Sequence, residues 1–294
     1  MRVFSAVFTL LLISSAVHAA SVIDGRVIGH RGLGANHAPE PENSILALVT
    51  AIKEGASAVE FDLQLSRDGV VVLAHDGKLD RMTNGKGCVA DRDFDELETL
   101  SLRDGSGKVH TEQHMATFQQ TLEALRPFDD HHRPFLADIH IKVYDGLKGD
   151  WGGFPNRCPT TKYEELTRKT LEILKSFDML DRVFFTSFDD RVLDLIKKES
   201  PASVVGLLSD FRPGHAISRA IGRYDAVSLA AEHLTAAEVK KAHDHHLLVY
   251  AWSPAKEDEM EKLFAVYHVD GVITDNLPNA LQACKKSCYN QTHD

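Results

Sequence analysis

Short runs of apolar and β-branched residues recur along the chain at 26–29, 58–65, 135–141, 183–186, 204–208, 226–229, 247–252 and 271–274, and each predicts a strand. Between them the apolar positions change to a spacing of three and four, which predicts helices over 44–54, 117–125, 163–176, 190–199, 215–221, 236–245, 256–266 and 279–285. Strand followed by helix eight times is the order of an α/β (β/α)8 barrel, the TIM-barrel fold. A doubly wound open sheet fits less well, because no glycine-rich phosphate loop opens the first helix. Two interruptions depart from strict alternation: a ninth short strand at 70–74 after the Arg67-Asp68-Gly69 turn, and a Gly-rich loop over 144–161. They predict a small hairpin and a loop insertion at the end of the barrel where chemistry is found.

The first twenty residues follow a different rule. Met1-Arg2 gives a positive end, residues 3–17 are almost unbroken apolar, and Val17-His18-Ala19 ends in a small residue. This predicts a signal peptide over residues 1–19, cut after Ala19 or Ala20, and hence a secreted or periplasmic protein whose single domain spans 20–294. The stretch is shorter than the ~20 apolar residues of a membrane helix, so stable membrane insertion is not expected. An oxidising destination permits disulfides, and the four cysteines are expected to pair as Cys88 with Cys158 and Cys284 with Cys288. Asn290-Gln291-Thr292 matches a glycosylation acceptor triplet.

Composition narrows the function. With 43% hydrophobic and 26% charged residues the 294-residue chain is ordinary for a globular protein, which excludes a disordered or fibrous one. Lys plus Arg number 33 against 43 Asp plus Glu, a formal charge of −10, and no basic run tracks a nucleic-acid backbone. Nucleic acid is therefore not an expected partner, and oligomeric state is left open.

The ends of the first three strands collect the chemistry. Strand one closes in His30-Arg31-Gly32, strand two carries Glu60-Phe61-Asp62, the hairpin ends in His75-Asp76, and strand three holds Asp138-Ile139-His140-Ile141-Lys142. Alternation sends Glu60 and Asp62 to one face, and likewise Asp138, His140 and Lys142. Two carboxylates on one inward face repel unless a cation lies between them. Two imidazoles suit proton transfer near neutral pH, and Arg31 and Lys142 offer a planar fork and a point charge to a phosphate. Each residue alone has a plainer explanation: a lone His at a strand end, an acid paired with Lys or Arg, Glu42 supporting the helix start near Asn43-Ser44. The remaining histidines at 131–132 and 243–246 read as solvated.

Taken with Pro41-Glu42-Asn43-Ser44 and Leu63-Gln64-Leu65-Ser66-Arg67-Asp68-Gly69, these segments resemble the glycerophosphodiester phosphodiesterase family. The similarity continues more weakly through Thr186-Ser187-Phe188, Tyr250-Ala251-Trp252 and Asp270-Gly271-Val272-Ile273-Thr274-Asp275. It implies a metal-dependent enzyme that cleaves glycerophosphodiesters to an alcohol and sn-glycerol 3-phosphate. By the resemblance His30 is the base and His75 the acid, Arg31, Lys142 and Trp252 bind substrate, and the substrate's own hydroxyl attacks first to give a cyclic phosphate that water then opens. Glu60 and Asp62 hold one divalent cation, Mg²⁺ or Ca²⁺ by expectation. The chain departs from the family in one place: where Glu-Ile-Lys is usual on the third strand, His140 stands before Ile141-Lys142. An imidazole there moves preference toward Mn²⁺ or Zn²⁺, with Asp138 as the alternative third ligand. The expected partner is a small glycerophosphodiester. Two rival readings keep the barrel: a phospholipase D or sphingomyelinase D type enzyme, which should expose an apolar surface near the 151–154 loop, and a secreted binding protein without catalysis.

Overall fold

The computed structural model describes residues 27–35, 38–129, 136–144, 158–159 and 161–287. The export segment, His131-His132, the 151–154 aromatics and the Asn290 triplet lie outside them. Eight parallel strands close on themselves in the order β1 (Val27–Gly29), β2 (Ala58–Leu65), β6 (Ala137–Ile141), β7 (Val183–Ser187), β8 (Val204–Ser209), β9 (Ala226–Ala230), β10 (Leu248–Trp252) and β11 (Gly271–Thr274), with β11 returning to β1. This is the expected (β/α)8 barrel.

Period-two alternation on β2 explains how one strand serves both core and site. Val59, Phe61, Leu63 and Leu65 point out to the helices, while Ala58 enters the barrel floor beneath Glu60, Asp62 and Gln64. That floor is apolar, made of Ile28, Ala58, Phe184, Ala226, Tyr250 and Ile273. Around the barrel lie α1 (Ile45–Lys53), α3 (Phe118–Leu125), α4 (Tyr163–Phe177), α5 (Asp190–Glu199), α6 (Pro213–Ala220), α7 (Ala236–Asp244), α8 (Glu257–Lys262) and α9 (Leu277–Ser287), with a short α2 (Phe94–Leu97) in the insertion. Their starts are written locally: Ser44 Oγ accepts from the Ala47 amide, and Thr117 with Gln120 and Thr235 with Glu238 form capping boxes. Among the described residues no helix is long and apolar enough to cross a membrane.

The insertion is larger than the sequence pattern predicts. Strand β3 (Val71–Leu73) pairs antiparallel with β2, as expected, but is followed by a lobe containing α2 and a second hairpin, β4 (Ser101–Arg103) with β5 (Val109–His114). Leu79, Met82, Val89, Leu97 and Met115 give the lobe a small core shared with Val72 and Ala74. Strand β4 has three residues and β5, Val109–His114, is polar at every position after its first, so the pair lacks the apolar run that marks a strand. Cys88 in the lobe is joined to Cys158, with Cα atoms 5.5 Å apart, which ties the lobe to the end of the long loop. Cys284 is also disulfide-bonded, and its expected partner, Cys288, lies outside the described residues.

Candidate active site

The turn after β1 sets the first residues of the site. Gly32 sits at φ +96°, and a Cβ there would lie 2.7 Å from the Ala47 carbonyl carbon, so only glycine lets the turn pack on α1. The left-handed backbone also includes Arg31 (φ 50°) and Asn43 (φ 57°), an uncommon conformation for residues with side chains. It is held from both sides: the Arg31 amide donates to Glu60 Oε2 at 2.9 Å and the Asn43 amide to the Arg31 carbonyl at 3.0 Å. Asn43 then grips Asp62 twice, its Nδ2 donating to Oδ2 at 2.9 Å and its Oδ1 accepting the Asp62 amide at 3.0 Å.

Glu60, Asp62 and His140 bring one donor atom each within 4.8 Å of one another, all buried. Register explains the convergence, because Asp62 on β2 pairs with His140 on β6 and Glu60 with Asp138. His140 Nδ1 lies 2.9 Å and Lys142 Nζ 3.4 Å from Asp62 Oδ1, and Arg31 Nε 3.5 Å from Oδ2. Burial alone would raise the Asp62 pKa, but Lys142, His75, the His140 hydrogen bond and Arg31 together hold it well below the usual carboxylate range. Glu60 goes the other way: burial, then the charges of Asp62 and Asp138, push it well above. Arg31 is the cation acting on Glu60, through its charge and its amide, and it does not offset burial and two neighbouring acids. A divalent cation between two carboxylates and one imidazole would offset them, and oxygen, oxygen and nitrogen donors suit such an ion. Burial, followed by Lys142, brings His140 down to about 3, so its ring is neutral, the state in which imidazole ligates metals. Asp138 stays outside this triad. Its Oδ1 accepts from Thr186 Oγ1 at 2.8 Å, its Oδ2 is buried without a hydrogen-bond partner among the described residues, and burial pushes its pKa to about 8.

Two histidines flank the acids, each held by its own carboxylate. His30 Nδ1 is 2.7 Å from Asp275 Oδ1, which also accepts the Ala35 amide at 3.0 Å, so Nε2 turns toward Glu60 Oε2, 3.9 Å away. His75 Nδ1 is 2.6 Å from Asp76 Oδ1. A carboxylate on Nδ1 fixes the tautomer and leaves Nε2 for chemistry. Burial, followed by Lys142 and Arg31, lowers the His75 pKa.

A chain of ion pairs links the second histidine to the phosphate-binding candidate. Arg81, from the inserted lobe, donates through Nε to Asp76 Oδ2 at 2.7 Å and through Nη1 and Nη2 to Glu42 at 2.7 Å each; Glu42 in turn accepts from Arg31 Nη1 at 3.1 Å. Gln64 adds a second tie by donating to the Ala74 and Asp76 carbonyls at 2.8 and 2.7 Å, and the Tyr144 hydroxyl donates to the His75 carbonyl. The lobe thus holds His75 over a barrel to which it is only appended.

All nine residues singled out in the sequence line one cavity of about 470 Å³. Trp252 forms its far wall, with Nε1 donating to the Ser228 carbonyl at 3.2 Å and its ring edge-on to Phe188, 6.2 Å between centroids. The sequence reading did not assign Asp275, Asp76, Arg81 or Asn43. His-Asp adjacency at 75–76 was a signal for one of them; Arg81 and Asp275 become neighbours of the histidines only through the fold. His243, read as solvated, hydrogen-bonds Asp270 at 2.9 Å.

The sequence profile described as the glycerophosphoryl diester phosphodiesterase family matches residues 30–278. The chain belongs to that family. A glycerophosphodiester phosphodiesterase of Caldanaerobacter subterraneus is 28% identical over 265 residues, 88% of this chain and 98% of that one. Among solved structures, an Oleispira antarctica phosphodiesterase in complex with the product sn-glycerol-3-phosphate superposes with a TM-score of 0.75 at 23% identity, covering 91% of this chain and 99% of that one. A putative glycerophosphoryl diester phosphodiesterase from Silicibacter pomeroyi gives a TM-score of 0.73 at 21% identity, covering 89% and 93%. Family membership and the shared barrel agree with the expectations drawn from the His-Arg-Gly, Glu-x-Asp and His-Asp segments.

Proposed function

We propose that the protein is an exported, metal-dependent glycerophosphodiester phosphodiesterase that releases sn-glycerol 3-phosphate and an alcohol by paired-histidine acid-base catalysis. The observation that carries this reading is the juxtaposition, in one cavity, of a three-donor cation cradle (Glu60, Asp62, His140) with two carboxylate-held imidazoles and two cations. A divalent ion in that cradle would neutralise phosphate charge and acidify a bound hydroxyl. The remaining work belongs to side chains. Arg31 and Lys142 face the cavity to bind the phosphoryl oxygens. His30 Nε2, its other nitrogen occupied by Asp275, takes the proton of the attacking hydroxyl. His75 returns a proton to the departing alcohol oxygen as its bond to phosphorus breaks. Burial, then Lys142 and Arg31, lower the His75 pKa in the free site, and the negative charge of a bound phosphate would offset the two cations. If the substrate's own hydroxyl attacks first, the two histidines exchange roles when water opens the cyclic phosphate.

His140 as third donor favours Mn²⁺ or Zn²⁺ relative to an all-carboxylate cradle, with Mg²⁺ and Ca²⁺ still served by the two acids. Residues 1–19 as a cleaved signal, and 20–294 as one catalytic domain, complete the proposal; the 88–158 disulfide is in keeping with an oxidising compartment. The test is glycerol 3-phosphate release by wild type, His30→Ala and His75→Ala, each checked for folding by circular dichroism. Both variants are expected to lose at least ~100-fold in kcat. Full activity in either would remove that histidine from the mechanism.

A further inference from the structure

Carboxylates line both sides of the catalytic cavity, but its two cations, Arg31 and Lys142, lie on one. In the closed strand order β1, β2, β6, β7, β8, β9, β10, β11, the strands β2 and β6 lie across the barrel from β9 and β10. The phosphate-side groups, Arg31 and Lys142 with both histidines, come from the first half. From the opposite half the same cavity is lined by two carboxylates, Glu232 after β9 and Glu259 in α8, and by Trp252 at the end of β10, whose ring meets that of Phe188. Anions on the lip of an anion-binding site weaken phosphate binding unless something positive in the substrate meets them. Among the described residues, neither carboxylate is consumed by a strong internal partner. Glu232 has a 73% exposed side chain whose ion-pair contact is His233 at 3.4 Å, and Glu259 uses one oxygen to accept the Ala255 amide at 3.2 Å.

Resting on the phosphodiesterase reading, we propose that this half of the cavity is a headgroup subsite for a cationic leaving alcohol, an amino or quaternary ammonium alcohol, recognised by Glu232, Glu259 and the face of Trp252. In a zwitterionic glycerophosphodiester the phosphate and the ammonium are separated by a two-carbon link, so both ends stay within one cavity. The indole is fixed by its Nε1 bond to Ser228, which leaves the ring as a rigid wall rather than a mobile one. A desolvated cation over an aromatic face, with carboxylates beside it, is a general solution for ammonium groups. The neighbouring cavity shares Phe188 and Leu208 but is basic, lined by Arg212, His215, Arg219 and His233. Its Arg219 is paired with Asp190, which leaves Arg212 to meet an anionic headgroup, and the two cavities therefore make opposite predictions.

The experiment compares kcat/KM of the metal-loaded enzyme for glycerophosphocholine, glycerophosphoglycerol and bis(glycerophospho)glycerol, whose leaving alcohols are cationic, neutral and anionic. The expected order is cationic first, by about tenfold over neutral, with the anionic substrate last. In the Glu232→Gln/Glu259→Gln variant the choline-to-glycerol ratio falls toward one. Tetramethylammonium chloride, against sodium chloride at equal ionic strength, should inhibit glycerophosphoglycerol cleavage competitively in wild type and several-fold less in the variant. A ratio that survives the double substitution overturns the subsite, as does a preference for the anionic substrate, which would move the headgroup to the Arg212 side. If no substrate yields glycerol 3-phosphate, the phosphodiesterase reading itself falls and this subsite with it, an outcome distinct from activity without headgroup preference.

Discussion

Replacing Asp275 by Asn tests the His30–Asp275 pair directly, because the substitution changes one charge and almost no shape. Asp275 holds His30 Nδ1 at 2.7 Å and is itself anchored by the Ala35 amide. Its carboxyl lies at about 2 against an ordinary 3.8: burial works against the lowering, and the His30 hydrogen bond does most to overcome it. At ~1.4 kcal/mol per pKa unit the lowering amounts to about 2 kcal/mol of carboxylate stabilisation, shared among His30, the Ala35 amide and Arg31. If His30 contributes half or more, losing it weakens the orientation of the base by about 1 to 2 kcal/mol, or roughly 5- to 30-fold in kcat. An amide that donates to Nδ1 would also impose the wrong tautomer and deepen the loss. The assay is glycerol 3-phosphate release, with the His30 tautomer followed by ¹⁵N NMR of the imidazole. Because the carboxyl titrates near 2, its lowered pKa stabilises the fold fully above the unfolded value near 3.8 and loses that contribution as pH falls through about 2. The carboxylate is therefore charged, and its contribution intact, throughout pH 5 to 8. Asp275→Asn with kcat within twofold of wild type and an unchanged tautomer would refute the dyad.

Four further outcomes follow from the same contacts. Arg81→Ala cuts the bridge between Asp76 and Glu42 and should lower kcat at least tenfold while changing KM less, with Arg81→Lys restoring part of it, since one ammonium replaces a fork that makes four hydrogen bonds. His140→Glu should shift metal preference from Mn²⁺ or Zn²⁺ toward Mg²⁺ or Ca²⁺ in calorimetric titrations of the chelator-stripped protein. Asp138, raised to about 8 by burial, binds its proton more tightly folded than unfolded, so its contribution to stability is full below pH ~4 and disappears as pH rises through about 8; thermal unfolding of Asp138→Asn should lack that component. Reducing the 88–158 disulfide, which closes a loop of 70 residues, should cost up to about 4 kcal/mol in a denaturant titration, with most of the loss in the lobe that carries Arg81.

The barrel was legible because its strands and helices carry different periods, and β2 shows why the site was too: the same alternation that sends Val59, Phe61 and Leu63 to the helices puts Glu60 and Asp62 on one inner face. His140 followed by the same rule on β6, with Lys142 one residue past its end. What stayed hidden has no period. Strand β4 has three residues, and the lobe around it is held by a local core rather than by a repeating pattern. Arg81 and Asp275 lie 6 and 245 residues from the histidines they serve, one at an exposed lobe position and the other at a strand end, and only closure of the barrel brings Asp275 to His30. Asp138 shares a face with His140, yet Thr186 on β7 takes its oxygen, a contact that needs the strand order rather than the sequence.

The account rests on a cation cradle and a histidine pair acting on one substrate, and the most direct measurement is glycerol 3-phosphate release from glycerophosphocholine by the purified mature protein before chelation, after it, and after divalent metal is restored. The account predicts release that chelation abolishes and metal restores, and no release by metal-restored His75→Ala. Activity unaffected by thorough chelation, or a folded, metal-loaded protein that cleaves no glycerophosphodiester, would contradict it.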